Sequence, residues 1–213
     1  TLNIGITFIN KSVMTTHTPG KRAKSNRLLA AARVVGITLT SLSLLLAFFL
    51  RQSCSPNAQK MSLATHWTRR WAKTLLKISG LQVETHGKMP ESGCLLVPNH
   101  SGYVDVIALG SLLPCFFVAK AEISSWPIIG LLFTSTHHIS IVRKDHKTLH
   151  QVVDAVAQRL KDGHHVVAFL EGTSTGNDCV LPLKASLLEA AVKVHAPIIP
   201  VGIRWRAHNT NIC

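Results

Sequence analysis

Residues 94–119 read CLLVPNHSGYVDVIALGSLLPCFFVA, and this stretch decides the fold class of the 213-residue chain. It begins with the apolar run Cys94–Pro98 and continues through a polar turn. Helical periodicity then covers Asp105–Leu113, and a second apolar run follows at Cys115–Ala119. A short buried strand, a helix and another short buried strand in succession are typical of a crossover unit in a parallel sheet. The stretch therefore predicts an α/β fold.

The same alternation extends in both directions from this stretch. Further strands are predicted at Leu81–Gly87, His138–Val142, His165–Leu170 and Ile198–Arg204, and further helices at His146–Lys161 and Leu183–His195. We expect a mixed, mostly parallel sheet flanked by helices, which makes residues 80–213 one catalytic-size domain. The polar tail after Arg204 predicts that a full-length protein continues beyond Cys213.

The positive charge is unevenly distributed along the chain. Residues 1–77 contain 12 of the 23 Lys and Arg residues and no Asp or Glu, whereas residues 78–213 contain the other 11 basic residues and all 10 acidic ones. A nucleic-acid-binding protein normally has its basic face on the folded domain. Here the excess adjoins the most apolar segment, so we expect membrane lipids as partners and no nucleic acid.

The most apolar segment is Val34–Leu50, which has 17 residues without a charge. As a helix it rises about 26 Å, at the short end of what spans a bilayer core. Cations precede it as in a signal peptide, but no Ala-x-Ala cleavage site follows. We therefore expect residues 34–79 to hold an uncleaved membrane anchor, preceded by a flexible basic segment, 1–33. A signal peptide and a buried core helix are the alternatives.

A basic amphipathic helix is predicted directly after the anchor. Its apolar arc contains Leu63, Ala64, Trp67, Trp71, Leu75 and Ile78, and its basic arc contains Arg69, Arg70, Lys73 and Lys77. Such a helix either packs on the domain with a solvated charged face or lies among lipid headgroups. Cations flank the anchor on both sides, so the positive-inside rule gives no clean orientation, and a monotopic hairpin with both ends cytosolic satisfies both flanks.

The first candidate for chemistry is the turn after Cys94–Pro98, which contains His100 and Asp105. A carboxylate on one ring nitrogen fixes the tautomer of an imidazole and raises the basicity of the other nitrogen. The proton could then come from the alcohol of a bound substrate. An Asp that caps the helix beside an incidental His is the common alternative. A zinc site is disfavoured because third and fourth ligands are missing at the usual spacing.

The second candidate is Phe169–Gly176, at the end of the strongest predicted strand. Ser174 formally matches a Gly-x-Ser-x-Gly nucleophile elbow, but only 39 residues follow it, too few for the acid and histidine of that fold. Small residues at a strand end instead allow backbone N–H groups to approach an anionic headgroup. The five cysteines are odd in number and form no Cys-x-x-Cys, so we expect them to be reduced.

Taken together and in this order, these segments resemble the glycerolipid acyltransferase family typified by 1-acylglycerol-3-phosphate acyltransferases. The first motif, Asn-His-x4-Asp, is matched by Asn99, His100 and Asp105, and the second, an apolar block that ends in Arg, by residues 130–143. The third motif, usually Phe-Pro-Glu-Gly-Thr-Arg, is similar to Phe169–Ser174, and the fourth, apolar-Pro-apolar, to Ile198–Ile203. Four motifs in order are far more specific than any one of them.

The resemblance implies direct acyl transfer from acyl-CoA or acyl-carrier protein to a lysolipid hydroxyl. His100, oriented by Asp105, would remove the hydroxyl proton, with no metal, further cofactor or covalent acyl-enzyme. Headgroup contacts would come from Arg143, Glu171, Gly172 and Thr173, and Pro200 would shape the acyl-donor wall. The expected product is phosphatidic acid, made from 1-acylglycerol-3-phosphate in phospholipid biosynthesis. The expected location is the membrane, at the cytoplasmic face of the inner membrane.

The sequence departs from the family pattern at two positions. Leu170 replaces the usual Pro, which affects only the turn. Ser174 stands where many members have an Arg that is expected to hold a phosphate. The departure makes a lyso-ornithine lipid acyltransferase the alternative. From a different class, a non-catalytic membrane-binding module with an inert His100 is the rival.

Overall fold

The computed structural model describes residues 2–8, 27–142, 146–175, 180–207 and 210–211. Its strands are β1 (Leu2–Phe8), β2 (Leu81–His86), β3 (Leu95–Pro98), β4 (Cys115–Lys120), β5 (Ile139–Ile141), β6 (His165–Ala168), β7 (Ile198–Ala207) and β8 (Thr210–Asn211). Its helices are α1 (Arg27–Ser53), α2 (Asn57–Ser79), α3 (Tyr103–Leu112), α4 (Ile129–Ser135), α5 (His146–Lys161) and α6 (Leu188–Lys193). Short 3₁₀ turns cover Ala121–Ser125 and Ala185–Leu187.

The strands form one mixed sheet in the order β2-β1-β7-β3-β6-β4-β5, with β8 paired to β7. The five strands from β7 to β5 are parallel, and β1 and β2 run in the opposite direction. The predicted α/β class with a mostly parallel sheet is therefore confirmed, and each of the six predicted strands is present. Because the central strands are parallel, the loops that follow β3 and β6 leave the sheet at the same edge.

The central strands are buried on both faces, and their side chains alternate between two cores. Phe116 and Val166 point to the core beneath α5 and α6, whereas Phe117 and Val167 point to the core beneath α2 and α3. This alternation is the period-two geometry of a strand. It explains why these strands read as continuous apolar runs instead of alternating polar and apolar residues.

The helices α1 and α2 form an antiparallel hairpin whose second member packs on α3. Trp71 donates its ring N–H to Ser41 Oγ and Trp67 donates to the carbonyl of Leu44, both at 2.9 Å. The two tryptophans of the amphipathic helix thus contact α1. The apolar arc of this helix therefore packs against protein, which is one of the two alternatives predicted from the sequence. The other face of α2 is buried against the domain, with Ala72 and Leu76 in the contact.

Helix α1 leaves most of its apolar surface uncovered. Among the described residues it is the one helix long and apolar enough to cross a membrane by length and composition, and 17% of its apolar window is buried. Its exposed apolar side chains are Leu28, Leu29, Val34, Val35, Leu39, Leu42, Leu46, Phe49 and Leu50. The predicted apolar helix is present, and it begins at Arg27, seven residues before the uncharged run.

The N-terminal segment differs from the expectation for residues 1–33. Leu2–Phe8 form β1, which lies between β2 and β7 and pairs with both strands, so this part belongs to the sheet and is not a flexible extension. Residues 9–26 lie outside the described residues. The alternation of apolar residues in LNIGITF is the local signal for this strand. The limits proposed for the three segments stay predictions.

Candidate functional site

The loop between β3 and α3 is fixed to β7 by the side chain of Asn99. Its amide donates to the carbonyl of Ile203 at 3.1 Å and accepts the N–H of Ile203 at 2.6 Å. The backbone N–H of Asn99 donates to Val201 in turn. The side chain therefore continues the β3–β7 ladder one step after β3 has ended. The Asn of the first motif sets the backbone from which His100 projects.

The carboxylate of Asp105 is fully buried and accepts four hydrogen bonds. Oδ2 accepts the N–H of Ser101 at 2.6 Å, that of Gly102 at 2.8 Å, and His100 Nδ1 at 3.0 Å. Oδ1 accepts the ring N–H of Trp205 at 3.0 Å. All four contacts use the carboxylate as an acceptor. Asp105 thus caps the first turn of α3 and holds His100 with the same side chain. The helix cap and the partner of the histidine, which the sequence left as alternatives, are one residue acting in both ways.

The imidazole of His100 is held on one side and open on the other. Because Nδ1 faces a carboxylate, Nδ1 carries the proton and Nε2 has a free lone pair. The ring stacks on Phe169, with centroids 4.0 Å apart and planes at 29°. Its side chain is 16% exposed, whereas that of Asp105 is completely covered. The arrangement is that of a base whose far nitrogen can take a proton from a bound molecule.

The turn after β6 is hydrogen bonded to the backbone of His100. Glu171 is buried and accepts the backbone N–H of His100 at 2.8 Å on Oε1 and that of Leu181 at 3.0 Å on Oε2. Thr175 donates its backbone N–H to the carbonyl of His100 at 3.1 Å. The loops after β3 and β6 are therefore joined directly, so the first and third motifs of the sequence form one site at the carboxyl edge of the sheet.

A positive charge lies beside this turn. Gly172 has a φ of +73°, the left-handed region that glycine adopts without strain. A β-carbon built at Gly172 would lie 3.2 Å from Lys184 Nζ, so the lysine chain runs along the bare backbone of the turn. The backbone N–H of Lys184 also donates to the carbonyl of Leu170 at 2.9 Å. An exposed ammonium next to backbone N–H groups can hold an anion.

Comparison with known proteins assigns this site to a family. The family model described as Acyltransferase matches residues 80–204, which is more than half of the chain. The chain belongs to the acyltransferase family. The matched residues contain both parts of the site, the turn at His100 and the turn at Glu171, and they end within β7, one residue before Trp205.

Several curated acyltransferases are similar in sequence. The lyso-ornithine lipid O-acyltransferase of Rhizobium meliloti is 35% identical over 136 residues, which cover 63% of this chain and 46% of that protein. That of Pseudomonas aeruginosa is 30% identical over 186 residues, covering 86% and 70%. The 1-acyl-sn-glycerol-3-phosphate acyltransferase of Neisseria gonorrhoeae is 29% identical over 126 residues, covering 59% and 49%. The chain spans about half the length of the first and third of these relatives.

A solved acyltransferase structure shares the fold. The 1-acyl-sn-glycerophosphate (LPA) acyltransferase PlsC from Thermotoga maritima superposes with a TM-score of 0.56 and covers 78% of this chain and 85% of that one. The two sequences are 17% identical, so this likeness concerns the fold alone. It agrees with the helix-flanked parallel sheet described above.

The remaining predicted site residues of the acyltransferase are less closely joined to His100. Thr173 and Ser174 are exposed on the turn, and Pro200 is an exposed position of β7 paired with Val97. Arg143 lies outside the described residues. Both oxygens of Glu171 have backbone partners, which supports a role in holding the loop of His100. The headgroup and donor-wall roles of these residues stay predictions.

Two neighbours of the histidine were missed in the sequence. Trp205 follows Val201 by four residues on β7 and thus lies on the same face of the strand. This spacing indicates a contact near Asp105 only once β3 is known to be the partner strand of β7. Phe169 belongs to the third motif, and no local pattern in the sequence indicates that it stacks on His100. Both contacts join residues about 70 to 100 positions apart in the chain.

Two of the cysteines, Cys94 and Cys115, are buried in the domain, whereas Cys54 is exposed. Burial raises the pKa of the Cys94 thiol to about 12 and also raises that of Cys115, so both remain protonated. Within the described part of the chain, no three His, Cys, Asp or Glu side chains are grouped as metal ligands would be. Ser174 is exposed, and the ring of His100 is engaged by Asp105.

Proposed function

We propose that the chain is a membrane-associated O-acyltransferase that moves a fatty acyl group to the hydroxyl of a lysolipid. The observation that supports this most directly is the His100–Asp105 pair, with Nδ1 bonded to a buried carboxylate at 3.0 Å and Nε2 open. A base of this kind activates an alcohol held against it. Membership of the acyltransferase family supplies the reaction class.

In the proposed reaction, His100 Nε2 takes the proton of the lysolipid hydroxyl while that oxygen attacks the thioester carbonyl of acyl-CoA or acyl-carrier protein. A C–O bond forms and the C–S bond breaks. The imidazolium then gives its proton to the departing thiolate, and the charge on the ring is stabilised by Asp105 throughout. Every proton is accounted for without a metal, a further cofactor or an acyl-enzyme.

We place the acceptor headgroup at the turn after β6. Thr173 is exposed on this turn, and Lys184 offers a positive charge beside Gly172. Arg143 would add a second cation, and Pro200 would shape the wall for the acyl donor, as the resemblance implies. An anionic headgroup held at this turn would leave its lipid hydroxyl close to His100, because the two loops are hydrogen bonded to each other.

Two acceptors fit this proposal. The first is 1-acylglycerol-3-phosphate, whose phosphate monoester carries up to two negative charges and requires paired cations in a half-buried site. The second is lyso-ornithine lipid, whose headgroup bears one carboxylate and one amine. Ser174 in place of the usual Arg favours the second acceptor, because a single lysine is sufficient for a carboxylate. The names of the relatives that are 30–35% identical agree with it.

One assay with purified protein decides between these acceptors. The protein is incubated with a radiolabelled donor, either acyl-CoA or the acylated form of acyl-carrier protein. Each donor is combined in turn with lysophosphatidic acid, lyso-ornithine lipid or a zwitterionic lysophospholipid, and the diacyl product is quantified. We expect transfer to a lysolipid, with the larger kcat/KM identifying the acceptor. The non-catalytic membrane-binding module is the correct function instead if no pair of substrates reacts while the protein still binds vesicles.

We further propose that α1 lies in the membrane interface at the cytoplasmic face of the inner membrane. Its exposed leucines would enter the lipid, and Arg27 and Arg51 near its two ends would both meet anionic headgroups on one side. An in-plane helix satisfies the cations on both flanks, which a spanning helix does not. The acyl donors named above are cytoplasmic molecules.

A charge placed on the exposed face of α1 tests the membrane contact. Leu39 and Leu46 are 62% and 63% exposed and lie two turns apart on that face. We expect the double variant Leu39→Lys with Leu46→Lys to lower partitioning into zwitterionic vesicles, which do not attract the added cations, by about tenfold or more. The matched control is Val192→Lys on α6, a 65% exposed apolar position on the opposite face of the sheet. Equal partitioning of both variants would contradict the assignment.

A further inference from the structure

The two oxygens of the Asp105 carboxylate are held from different parts of the chain. Oδ2 accepts its hydrogen bonds from His100 and from the adjacent loop. Among the donors that the structure describes at this carboxylate, the ring N–H of Trp205 alone reaches Oδ1, at 3.0 Å. Asp105 has no exposed surface, so water cannot easily replace that donor.

The register of β7 explains how the indole reaches this position. The pairing of β7 with β3 ends at Val201 opposite Pro98, and Asn99 then binds Ile203 with its side chain. Residues 201, 203 and 205 lie on one face of the strand, the face that packs under α3. The ring of Trp205 therefore extends over the first turn of α3, where Asp105 lies.

The chemistry of the indole makes the contact directional. An indole N–H donates and never accepts, so Trp205 can bind Asp105 only at a carboxyl oxygen that accepts. The terminal torsion of an Asp side chain is soft, and a carboxylate bound at one oxygen alone can turn. Donors on both oxygens fix its plane. Fixing the plane also fixes where Oδ2 meets Nδ1 of His100.

We propose that Trp205 is a positioning residue for acyl transfer, acting on His100 through Oδ1 of Asp105. The inference rests on the proposed function, because it assigns the residue to the step in which His100 takes the proton. Trp205 does not touch the substrate in this scheme. It keeps the carboxylate in the orientation in which the imidazolium is stabilised.

The test removes the N–H and keeps the ring. Benzothienylalanine at position 205 replaces the ring N–H by sulfur in the same shape, and Trp205→Phe is the simpler variant. We expect kcat to fall about tenfold while KM for the lysolipid stays within about twofold. The matched control is Trp126→Phe, whose ring packs edge-on against Tyr103 at 5.4 Å and leaves Asp105 untouched. An unchanged kcat in the benzothienylalanine variant would overturn the proposal.

A double-mutant cycle separates positioning from loss of packing. If Trp205 acts through Asp105, the change Trp205→Phe has little further effect on kcat once Asp105→Asn is present. A purely structural role gives losses that multiply in the double variant. Multiplying losses would therefore contradict the proposal even if the single variant is impaired.

A spectroscopic readout separates this inference from the proposed function. The Nδ1 proton of His100 in its bond to Asp105 gives a downfield proton resonance, which is assigned by its loss in His100→Ala. We expect this resonance to move in the benzothienylalanine variant and to stay in Trp126→Phe. If the wild type transfers no acyl group, the function fails, and the resonance still tests the contact. If the wild type is active and the resonance does not move, the role of Trp205 fails alone.

Discussion

His100 and His138 lie at opposite ends of the parallel strands and show how the same side chain is prepared for different uses. His100 follows the carboxyl end of β3, and its Nδ1 donates to Asp105. His138 precedes the amino end of β5 and is half-buried, and its Nδ1 accepts the backbone N–H of Phe117 at 3.2 Å. Its Nε2 lies 3.5 Å from the hydroxyl of Thr68.

The partner of Nδ1 decides what each ring can do with a proton. A carboxylate on Nδ1 stabilises the positive charge that the ring of His100 acquires when Nε2 takes a proton in the reaction. A backbone N–H requires a lone pair on Nδ1, so His138 must stay neutral. Burial, with a smaller contribution from the neighbouring His137, lowers the pKa of His138 to about 3. His138 therefore serves packing, and His100 is available for proton transfer.

The largest expected effect is on turnover when the two histidines are replaced separately. We expect His100→Ala to reduce kcat about 10³-fold or more, because the proton acceptor is lost. His138→Asn keeps an acceptor for Phe117, and we expect it to retain kcat within about threefold while lowering the free energy of unfolding by about 1–3 kcal/mol. Steady-state kinetics and urea unfolding of both variants check this. Near wild-type turnover of His100→Ala would refute the assignment of the base.

The second effect concerns the carboxylate that distinguishes the two rings. We expect Asp105→Asn to reduce kcat about 10²-fold or more, and by no more than His100→Ala, since the amide cannot stabilise the charged ring. Circular dichroism should show the fold retained, because the loop donors still have an oxygen to bind. A loss greater than that of His100→Ala would mean that Asp105 does more than orient the histidine.

The third effect is on stability in acid and comes from the ring of His138. The pKa of His138 is about 3 in the folded chain and 6.5 when unfolded, so the unfolded state binds the additional proton below pH 6.5. Stability is therefore complete above pH 6.5 and falls as the pH is lowered toward 3, by about 2 kcal/mol between pH 6.5 and 5 for this group. Burial also lowers the pKa of His137, His164 and His165, which adds to the same trend.

The variant His138→Asn isolates the share of His138 in that trend. It removes the titrating group and keeps the acceptor for Phe117, so we expect the pH slope of its unfolding free energy to be shallower than that of the wild type. Urea midpoints measured from pH 7.5 to pH 5 provide the comparison. Identical slopes in the two proteins would show that His138 takes up no proton on unfolding.

The smallest effect concerns the headgroup cation at the carboxyl edge. We expect Lys184→Met to raise KM for an anionic lysolipid about threefold to tenfold with little change in kcat. Lys193→Met on α6 is the control, because this lysine is paired with Asp154 at 2.7 Å on the opposite face of the domain from α3. If the two lysine variants have the same KM, the headgroup does not bind beside Gly172.

The strands that pass through the site could be predicted because their signal is local. Cys94–Pro98 and His165–Leu170 are apolar runs bounded by polar turns, and the structure contains β3 and β6 within them. Helix α4 was missed, since IGLLFTS is short and gives no clear helical period. Strand β1 has a local apolar alternation, but its place in the sheet could not be predicted, because its pairing partner β7 is almost 200 residues away in the chain.

In the candidate site too, the contacts between residues close in the chain could be predicted, and those between distant residues could not. His100 and Asp105 are five residues apart, and a helix start between them brings the side chains together, so the sequence was sufficient to predict that pair. The bonds of Asn99 to Ile203 and of Trp205 to Asp105 each join positions 100 or more residues apart. Their prediction requires the strand order, which no local pattern contains.

The hydrogen bonds from β7 also have a consequence for the order of biosynthesis. Asn99 takes its partner from Ile203, and Asp105 takes one from Trp205, so the base cannot be fully set while these residues are still within the ribosome. A nascent chain thus remains without its assembled site until β7 has docked beside β3. Loss of β7 would leave the site unassembled in the same way, with His100 and Asp105 both intact.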